Sequence, residues 1–264
     1  MKKLSAFIIV CSAGLGAQAQ LIDAFNGESL SGYTTTLVLD NSQGAGSGVS
    51  FSDSTGGLVA AFSGSTSDPE QALFLTPTAL PAGFAMAVSA NVPVSTTTED
   101  LGLAISANNP TAASSGNSWN GRASFDFATI SVRPSSGNIR VNTSISGTVT
   151  TSANAIGGVP SSSVSELIIE NDGILSAGQG DSFTLGYLNQ SDVFTAAETA
   201  TFSSSSTIGD EIGVYADIRN TGTSLGSFSD LTIEPISAVP EPASLGLLGL
   251  AAAGFGVVAR RKNK

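Results

Sequence analysis

Residues 84–90 read Phe-Ala-Met-Ala-Val-Ser-Ala, so that large apolar side chains alternate with small ones. A period of two is typical of a β-strand with one buried face, because successive side chains point to opposite sides of the strand. The same alternation recurs at Leu101, Leu103 and Ile105; at Ile139 and Val141; at Leu167 and Ile169; at Phe183, Leu185 and Tyr187; at Ile212, Val214, Ala216 and Ile218; and at Leu231 and Ile233. Helical periodicity is absent between residues 20 and 238, apart from a short helical turn predicted at residues 68–73. The sequence therefore predicts an all-β body.

Turn signals separate these runs, at Asn26-Gly27, Ser136-Gly137-Asn138 and Asn171-Asp172-Gly173. Gly and Asn accept the positive φ that tight hairpins need. Between residues 122 and 132 the alternation changes phase, from Phe125 and Phe127 to Ile130 and Val132, which predicts a bulge or a bend. Roughly a dozen strands without helices predict one antiparallel two-sheet β-sandwich of jelly-roll type over residues 20–236.

Both ends of this body resemble a known fold. Residues 23–30 (Asp-Ala-Phe-Asn-Gly-Glu-Ser-Leu), 212–217 (Ile-Gly-Val-Tyr-Ala-Asp) and 228–233 (Phe-Ser-Asp-Leu-Thr-Ile) resemble the first and last strands of concanavalin-like, laminin-G-like domains. The resemblance implies that the two terminal strands lie side by side. Such sandwiches host carbohydrate binding, hydrolysis and purely structural roles, so the fold does not decide the function.

The N-terminus has the features of a secretory signal. A basic start at residues 1–3 precedes an apolar run at residues 4–15, and Ala17-Gln18-Ala19 offers the small residues of a cleavage site. We therefore predict a signal peptide at residues 1–19 and a mature chain from Gln20. The single cysteine, Cys11, lies inside the signal after Val10, which does not fit a lipoprotein signal. The exported body has no thiol, so disulfides and thiolate ligands are excluded.

The C-terminal segment, residues 237–264, combines three features in a fixed order. Pro240-Glu241-Pro242 is predicted to be extended, because proline fixes φ and restricts the residue before it. The uncharged run at residues 243–259 would form a helix of about 25 Å, near the lower limit for crossing a bilayer. A basic cluster follows at Arg260, Arg261, Lys262 and Lys264. Positive charges beside an apolar helix favour retention of that end in the cytoplasm.

This order resembles the PEP-CTERM sorting domain of Gram-negative bacteria that produce exopolysaccharide. The resemblance implies that an exosortase, a membrane-embedded enzyme, recognises Pro240, Glu241 and Pro242 and removes the tail. The precursor would sit in the inner membrane through its C-terminal helix, and the body would pass to the cell surface or extracellular matrix. An ordinary C-terminal anchor would need the apolar run and the basic cluster but not the Pro-Glu-Pro.

The body is strongly acidic. The chain has 21 acidic and ten basic residues; all the acids except Glu241 lie in the body, but only four of the basic residues do, giving the body about −16. A surface of this sign repels nucleic acid and anionic lipid. It is either a solvated acidic coat or an attractor of divalent cations. The four basic residues are Arg122, Arg133, Arg140 and Arg219.

Catalytic constellations are scarce. Histidine is absent, which removes the commonest general base and the usual zinc ligands. Glu166 and Glu170 would share one strand face, but the stretch lacks the central Asp of the Glu-x-Asp-x-(x)-Glu strand in concanavalin-like polysaccharide hydrolases. We interpret the pair as a solvated strand face and expect no enzymatic activity. A polysaccharide hydrolase or lyase is the rival hypothesis, which a cleft with convergent carboxylates would favour.

Three further positions are candidates for binding or structure. Asp23 and Asp230 would approach each other if the terminal strands pair, and could hold a structural Ca²⁺ or simply form turns. Trp119, in a polar loop, could stack on a sugar ring or cover the end of the sandwich. Glu99-Asp100 is predicted to be a charged turn ahead of Leu101.

Together these features predict an exported, non-enzymatic β-sandwich protein at the cell surface or in the extracellular matrix. Its predicted partners are an exosortase-like enzyme, the membrane through the C-terminal helix, and exopolysaccharide, with no nucleic acid. A carbohydrate-binding module built around Trp119 is a further alternative.

Overall fold

The computed structural model of the protein describes residues 20–27, 30–39, 48–63, 69–76, 80–81, 83–92, 99–107, 126–134, 136–146, 148–171, 182–203, 206, 208–209, 211–218 and 226–236. Within these ranges the chain forms fifteen strands and two 3-10 turns, the turns at Leu30–Gly32 and Ser161–Ser163. The strands are β1 (Gln20–Asp23), β2 (Thr34–Leu39), β3 (Gly48–Ser54), β4 (Gly57–Ser63), β5 (Pro69–Leu75), β6 (Phe84–Asn91), β7 (Glu99–Ser106), β8 (Phe127–Arg133), β9 (Asn138–Ile145), β10 (Thr148–Ile156), β11 (Val164–Asn171), β12 (Ser182–Asn189), β13 (Phe194–Thr201), β14 (Glu211–Ile218) and β15 (Gly226–Pro235).

These strands form two antiparallel sheets. The first has the order β13-β12-β11-β6-β15-β4-β3, with β1 also paired to β15, and the second has the order β10-β9-β8-β7-β14-β5-β2. A single cluster of buried apolar side chains, contributed by both sheets, lies between them. The predicted two-sheet sandwich is therefore confirmed.

The alternation along β6 positions the core. Phe84, Met86, Val88 and Ala90 are buried in the cluster, and the small residues between them are half-buried on the other face. Burying a large apolar side chain stabilises the fold by about 1.5–3 kcal/mol. Burial of the apolar side chains that recur with the predicted period of two therefore stabilises this strand in the sandwich.

The terminal strands lie side by side, as the concanavalin-like resemblance implied. Gln20 faces Ile233 and Asp23 faces Leu231 across the antiparallel pair of β1 and β15. An extra residue in β15 shifts its register against β6, and Asp230 at this bulge has a φ of 52°. The bulge re-aims β15 between its β4-paired part and its β1-paired part.

Two local predictions were wrong. The chain at residues 69–73 is not a helical turn but part of strand β5, which pairs with β14 on one side and β2 on the other. Strand β8 has no bulge over Phe127–Val132, because its register there runs without a shift against both β7 and β9; residues 122–125, where the predicted phase change begins, lie outside the described residues. Phe127 is buried on the face opposite Ala128 and Ile130, so β8 is covered on both faces.

Candidate functional site

A depression of about 560 Å³ lies at one edge of the first sheet, where β6 ends and its antiparallel neighbours β11 and β15 begin. We call it the serine-lined depression, because most of its described lining residues carry hydroxyl or amide groups and none is charged or aromatic. Such groups donate and accept hydrogen bonds without net charge. Its polar lining is Ser89, Asn91, Ser161, Ser162, Ser165, Gln190, Ser227 and Ser229.

Hydrogen bonds fix one wall of the serine-lined depression. The 3-10 turn Ser161–Ser163 comes just before β11, and its carbonyl at Ser163 accepts a hydrogen bond from the Gln190 backbone amide at 3.1 Å. The Ser165 hydroxyl donates to the Asn189 carbonyl at 3.0 Å. The Asn189 side-chain oxygen accepts from the backbone amides two and four residues further on, at 2.8 and 3.1 Å. The turn between β12 and β13 is therefore tied to the start of β11.

Ser161 is the most unusual residue of this wall. It is only 3% exposed, and its hydroxyl oxygen has no hydrogen-bond partner within the described part of the chain. An unsatisfied buried hydroxyl costs about 1–3 kcal/mol. Most buried polar atoms in proteins have a partner, so this group needs an explanation.

Acidic residues surround the serine-lined depression rather than line it. Glu166 follows Ser165 and faces Ser89 across the β11–β6 pair. Burial raises the pKa of Glu166, and the charges of Glu234, Asp192 and Asp230 raise it further. Glu166 and Asp230 each follow a lining serine, and Asp192 is two residues from the lining residue Gln190, so acidic residues flank the depression. Their carboxylates contribute a negative potential there.

The second sheet contains a buried ion cluster that the sequence did not reveal. Asp100 on β7 is 2% exposed and accepts two hydrogen bonds from Arg133, at 2.9 Å from Nε and 2.7 Å from Nη2. Nη1 of the buried Arg140 donates to the same carboxylate. The prediction of a charged turn at Glu99-Asp100 is therefore wrong. Residue 100 lies within strand β7, and its charge is held by two guanidinium groups.

Tyr215 lies beside this cluster, on the face of the second sheet that points away from the core. It is 2% exposed, and burial, followed by the charge of Asp100, raises the pKa of its hydroxyl. Its ring crosses Gly102 of the neighbouring strand, where a Cβ atom would stand 2.1 Å from Tyr215 Cε1 and 2.6 Å from the Ile130 carbonyl oxygen. Glycine at position 102 is therefore what allows the ring to lie there.

Several predicted site residues lie outside the described residues. These are the predicted signal peptide at residues 1–19, Trp119, the Pro240-Glu241-Pro242 tripeptide, the apolar segment 243–259 and the basic cluster Arg260, Arg261, Lys262 and Lys264. Within the described ranges, no helix is long and apolar enough to cross a membrane.

Asp23 and Asp230 lie on adjacent strands, as expected, but Asp23 is already engaged. Its two carboxylate oxygens accept hydrogen bonds from the Phe25 backbone amide at 2.7 Å and the Tyr33 hydroxyl at 2.8 Å. These contacts fit the turn-forming role of an Asp that bonds its own backbone. Across the part of the chain that is described, no three Asp, Glu, His or Cys residues cluster in a way that could hold a metal ion. The calcium site at Asp23 and Asp230 stays a prediction.

Glu166 and Glu170 face Ser89 and Ala85 from the same strand, on the face opposite the buried Leu167 and Ile169. Four residues along a strand separate their Cα atoms by about 13 Å. Carboxyl pairs of glycosidases stand about 5–10 Å apart. Both side chains are half-buried, and their interpretation as a solvated strand face stays a prediction.

Solved structures of other proteins share the fold of the body. The fold is that of a concanavalin-like jelly roll, similar to a lectin from Bauhinia forficata solved in complex with GalNAc. Identity is 8%, the match covers 84% of this chain and 100% of the lectin, and the TM-score is 0.50. At this identity the likeness shows the fold alone.

Two further solved structures resemble the chain less closely. The Ca²⁺- and Man2-bound exoplasmic domain of VIP36 is 10% identical, with 86% of this chain and 90% of that one covered and a TM-score of 0.49. Lectin II from Ulex europaeus is 10% identical, with 83% and 97% covered and a TM-score of 0.48. No curated protein sequence matches the chain.

The C-terminal segment gives the more specific identification. Residues 238–262 match the family model described as the PEP-CTERM protein-sorting motif. This confirms the sorting motif predicted from Pro240-Glu241-Pro242 and the residues that follow. The motif indicates a precursor that is exported in a Gram-negative bacterium, anchored in its membrane and processed by an exosortase.

Proposed function

We propose that the protein is a non-enzymatic component of the cell surface or extracellular matrix, displayed after an exosortase removes its C-terminal tail. The observation that carries this proposal is the sorting motif at residues 238–262. The signal sequence predicted at residues 1–19 supports it, because export must precede sorting. The sandwich then acts outside the cell, in a structural or glycan-associated role.

The properties of the body fit such a role. The net charge of about −16 on residues 20–236 keeps it soluble and repels anionic polymers and lipid surfaces. Its core contains no cysteine, so folding outside the cell depends on apolar burial and strand pairing rather than on oxidation. A wide cluster of buried apolar side chains supplies that stability.

Two observations favour a structural or binding role over catalysis. The described lining of the serine-lined depression contains no carboxylate. The Cα atoms of Glu166 and Glu170 are about 13 Å apart along β11, whereas the two carboxyl groups of a glycosidase must come within about 5–10 Å of each other. A hydrolase or lyase would instead need convergent carboxylates in a cleft.

The sorting proposal is tested by replacing Glu241 with alanine in the full chain and following the size and compartment of the protein. We expect the wild-type chain to lose its tail and leave the inner membrane, and Glu241→Ala to keep its full length there. Glu234→Ala, an exposed acid on β15, is the matched control and should be processed normally. Deletion of the cognate exosortase should reproduce the Glu241→Ala result. Normal processing of Glu241→Ala would instead identify the segment as a plain anchor.

A further inference from the structure

We propose that the serine-lined depression is a binding site for an uncharged saccharide. This inference rests on the glycan-associated role proposed above and names the site and the ligand chemistry for it. The depression measures about 560 Å³, within the range of about 300–1,000 Å³ typical of small-molecule sites.

The lining matches a polyhydroxylated ligand. A sugar hydroxyl is both a donor and an acceptor, and so are the hydroxyl and amide groups of Ser, Asn and Gln. Ser89 and Ser229 face each other across the β6–β15 pair, and Asn91 lies opposite Ser227 two residues further along β6. The described lining thus offers a floor of small polar side chains with Gln190 on one wall.

Ser161 gives independent support for a ligand in the depression. Ser161 is a lining residue of the depression, and its buried hydroxyl has no partner among the described residues. A ligand hydroxyl within reach would satisfy this group. Binding would then remove a cost that the free protein carries.

The charges around the depression select the ligand class. Glu166, Asp192 and Asp230 are each next in sequence to a lining residue or two residues from one, and the charges of Asp192 and Asp230 both act on Glu166. Carboxylates at this position repel a uronate or a phosphate. An uncharged sugar meets no such penalty, which is why we infer a neutral glycan rather than an acidic one.

The wall is held in place before any ligand arrives. The Gln190 amide and the Ser165 hydroxyl tie the β12–β13 turn to the start of β11. Preorganised polar groups lose little conformational freedom on binding, so a site of modest size can still bind measurably.

The test is affinity electrophoresis of the full chain, solubilised in a detergent without a sugar headgroup, through gels containing dextran, an uncharged galactan, an uncharged mannan or alginate. We expect retardation by at least one of the three neutral polymers and none by alginate. Ser161→Ala should weaken that binding by about 2- to 12-fold, the effect of one hydrogen bond. Ser229→Phe, which fills the depression, should abolish it.

Ser144→Ala is the matched control, since Ser144 is also buried with a hydroxyl that has no described partner, but lies on the second sheet. It should bind like wild type. Melting curves establish that each variant is folded, and Ser161→Ala is the informative variant if Ser229→Phe does not fold.

Absence of retardation by all three neutral polymers would overturn the proposal. So would binding unaffected by both Ser161→Ala and Ser229→Phe, or binding lost only in Trp119→Ala. These results leave the sorting proposal untouched, because tail removal is measured separately in cells.

Discussion

Replacing Asp100 with alanine is expected to lower the free energy of unfolding of the sandwich by about 3–5 kcal/mol. The carboxylate is 2% exposed and accepts hydrogen bonds from both Arg133 and Arg140, and Arg140 is itself only 5% exposed. At an effective dielectric constant near 20, each close pair of opposite charges gains about 4 kcal/mol before desolvation is subtracted. Removal of the carboxylate leaves two guanidinium groups near each other with their shared counter-charge gone. The remaining repulsion and desolvation account for the expected loss.

The assay is urea unfolding followed by circular dichroism, with thermal melting in parallel. For a domain of this size, the same loss lowers Tm by roughly 6–20 °C. Glu234→Ala serves as the control, because this exposed acid should change stability by less than about 0.5 kcal/mol.

A second variant separates a broken charge pair from a general packing defect. Replacing all three members together, as Asp100→Leu, Arg133→Met and Arg140→Met, removes the buried charges as well as their contacts. We expect this triple variant to be more stable than Asp100→Ala, because no charge is left without its partner. The reasoning is refuted if Asp100→Ala costs less than about 1 kcal/mol, or if the triple variant is the less stable of the two.

Two further predictions concern a glycine and a glutamate. Gly102→Ala should destabilise the sandwich by about 1–3 kcal/mol or more, because its Cβ would overlap the Tyr215 ring and the Ile130 carbonyl oxygen. Gly32→Ala, with open space around its Cβ, should be near neutral in the same unfolding assay; equal effects would contradict this account. The folded protein raises the pKa of Glu166, so it binds that proton more tightly than the unfolded chain, and this contribution to stability grows as pH falls from 7 toward 4.5 and is lost as pH rises. Glu166→Gln should therefore show a flatter dependence of Tm on pH than wild type, and parallel curves for the two proteins would count against it.

Much of the fold could be predicted because the alternation is local. Phe84, Met86, Val88 and Ala90 announce a half-buried strand within seven residues, and the structure buries all four. The positive φ of Gly137, 62°, similarly follows from the turn signal at residues 136–138. The sorting motif is also a local signal, so a short stretch was enough to predict it.

The predictions were wrong at positions whose structure is determined by contacts with residues far away in the sequence. Residues 69–73 become a strand because β14 and β2 pair with them from both sides, which overrides local helical preference. Phe127 needs no bulge, because the outer face of β8 is buried too. Asp100 finds its partners 33 and 40 residues away, a separation that no local pattern reveals. The body has only four arginines, and two of them donate hydrogen bonds to this one carboxylate. This small number of basic residues was the one feature of the sequence that pointed to the ion cluster.

The serine-lined depression was missed for a related reason. Its residues come from three strands and four connections that are far apart in sequence. Serine is so common in this chain that neither Ser161 nor Ser229 stands out as a binding residue. The run Pro160-Ser161-Ser162-Ser163 before a strand was the one usable local signal, since it marks a tight turn beside β11.

The place of β15 in the first sheet also bears on the timing of folding. This strand lies between β6 on one side and β4 and β1 on the other, so the sheet has a gap until the last strand arrives. A chain that crosses a membrane from its N-terminus delivers β15 after the other fourteen strands of the described ranges. The described part of the first sheet therefore cannot close until residue 235 has emerged on the far side of the membrane.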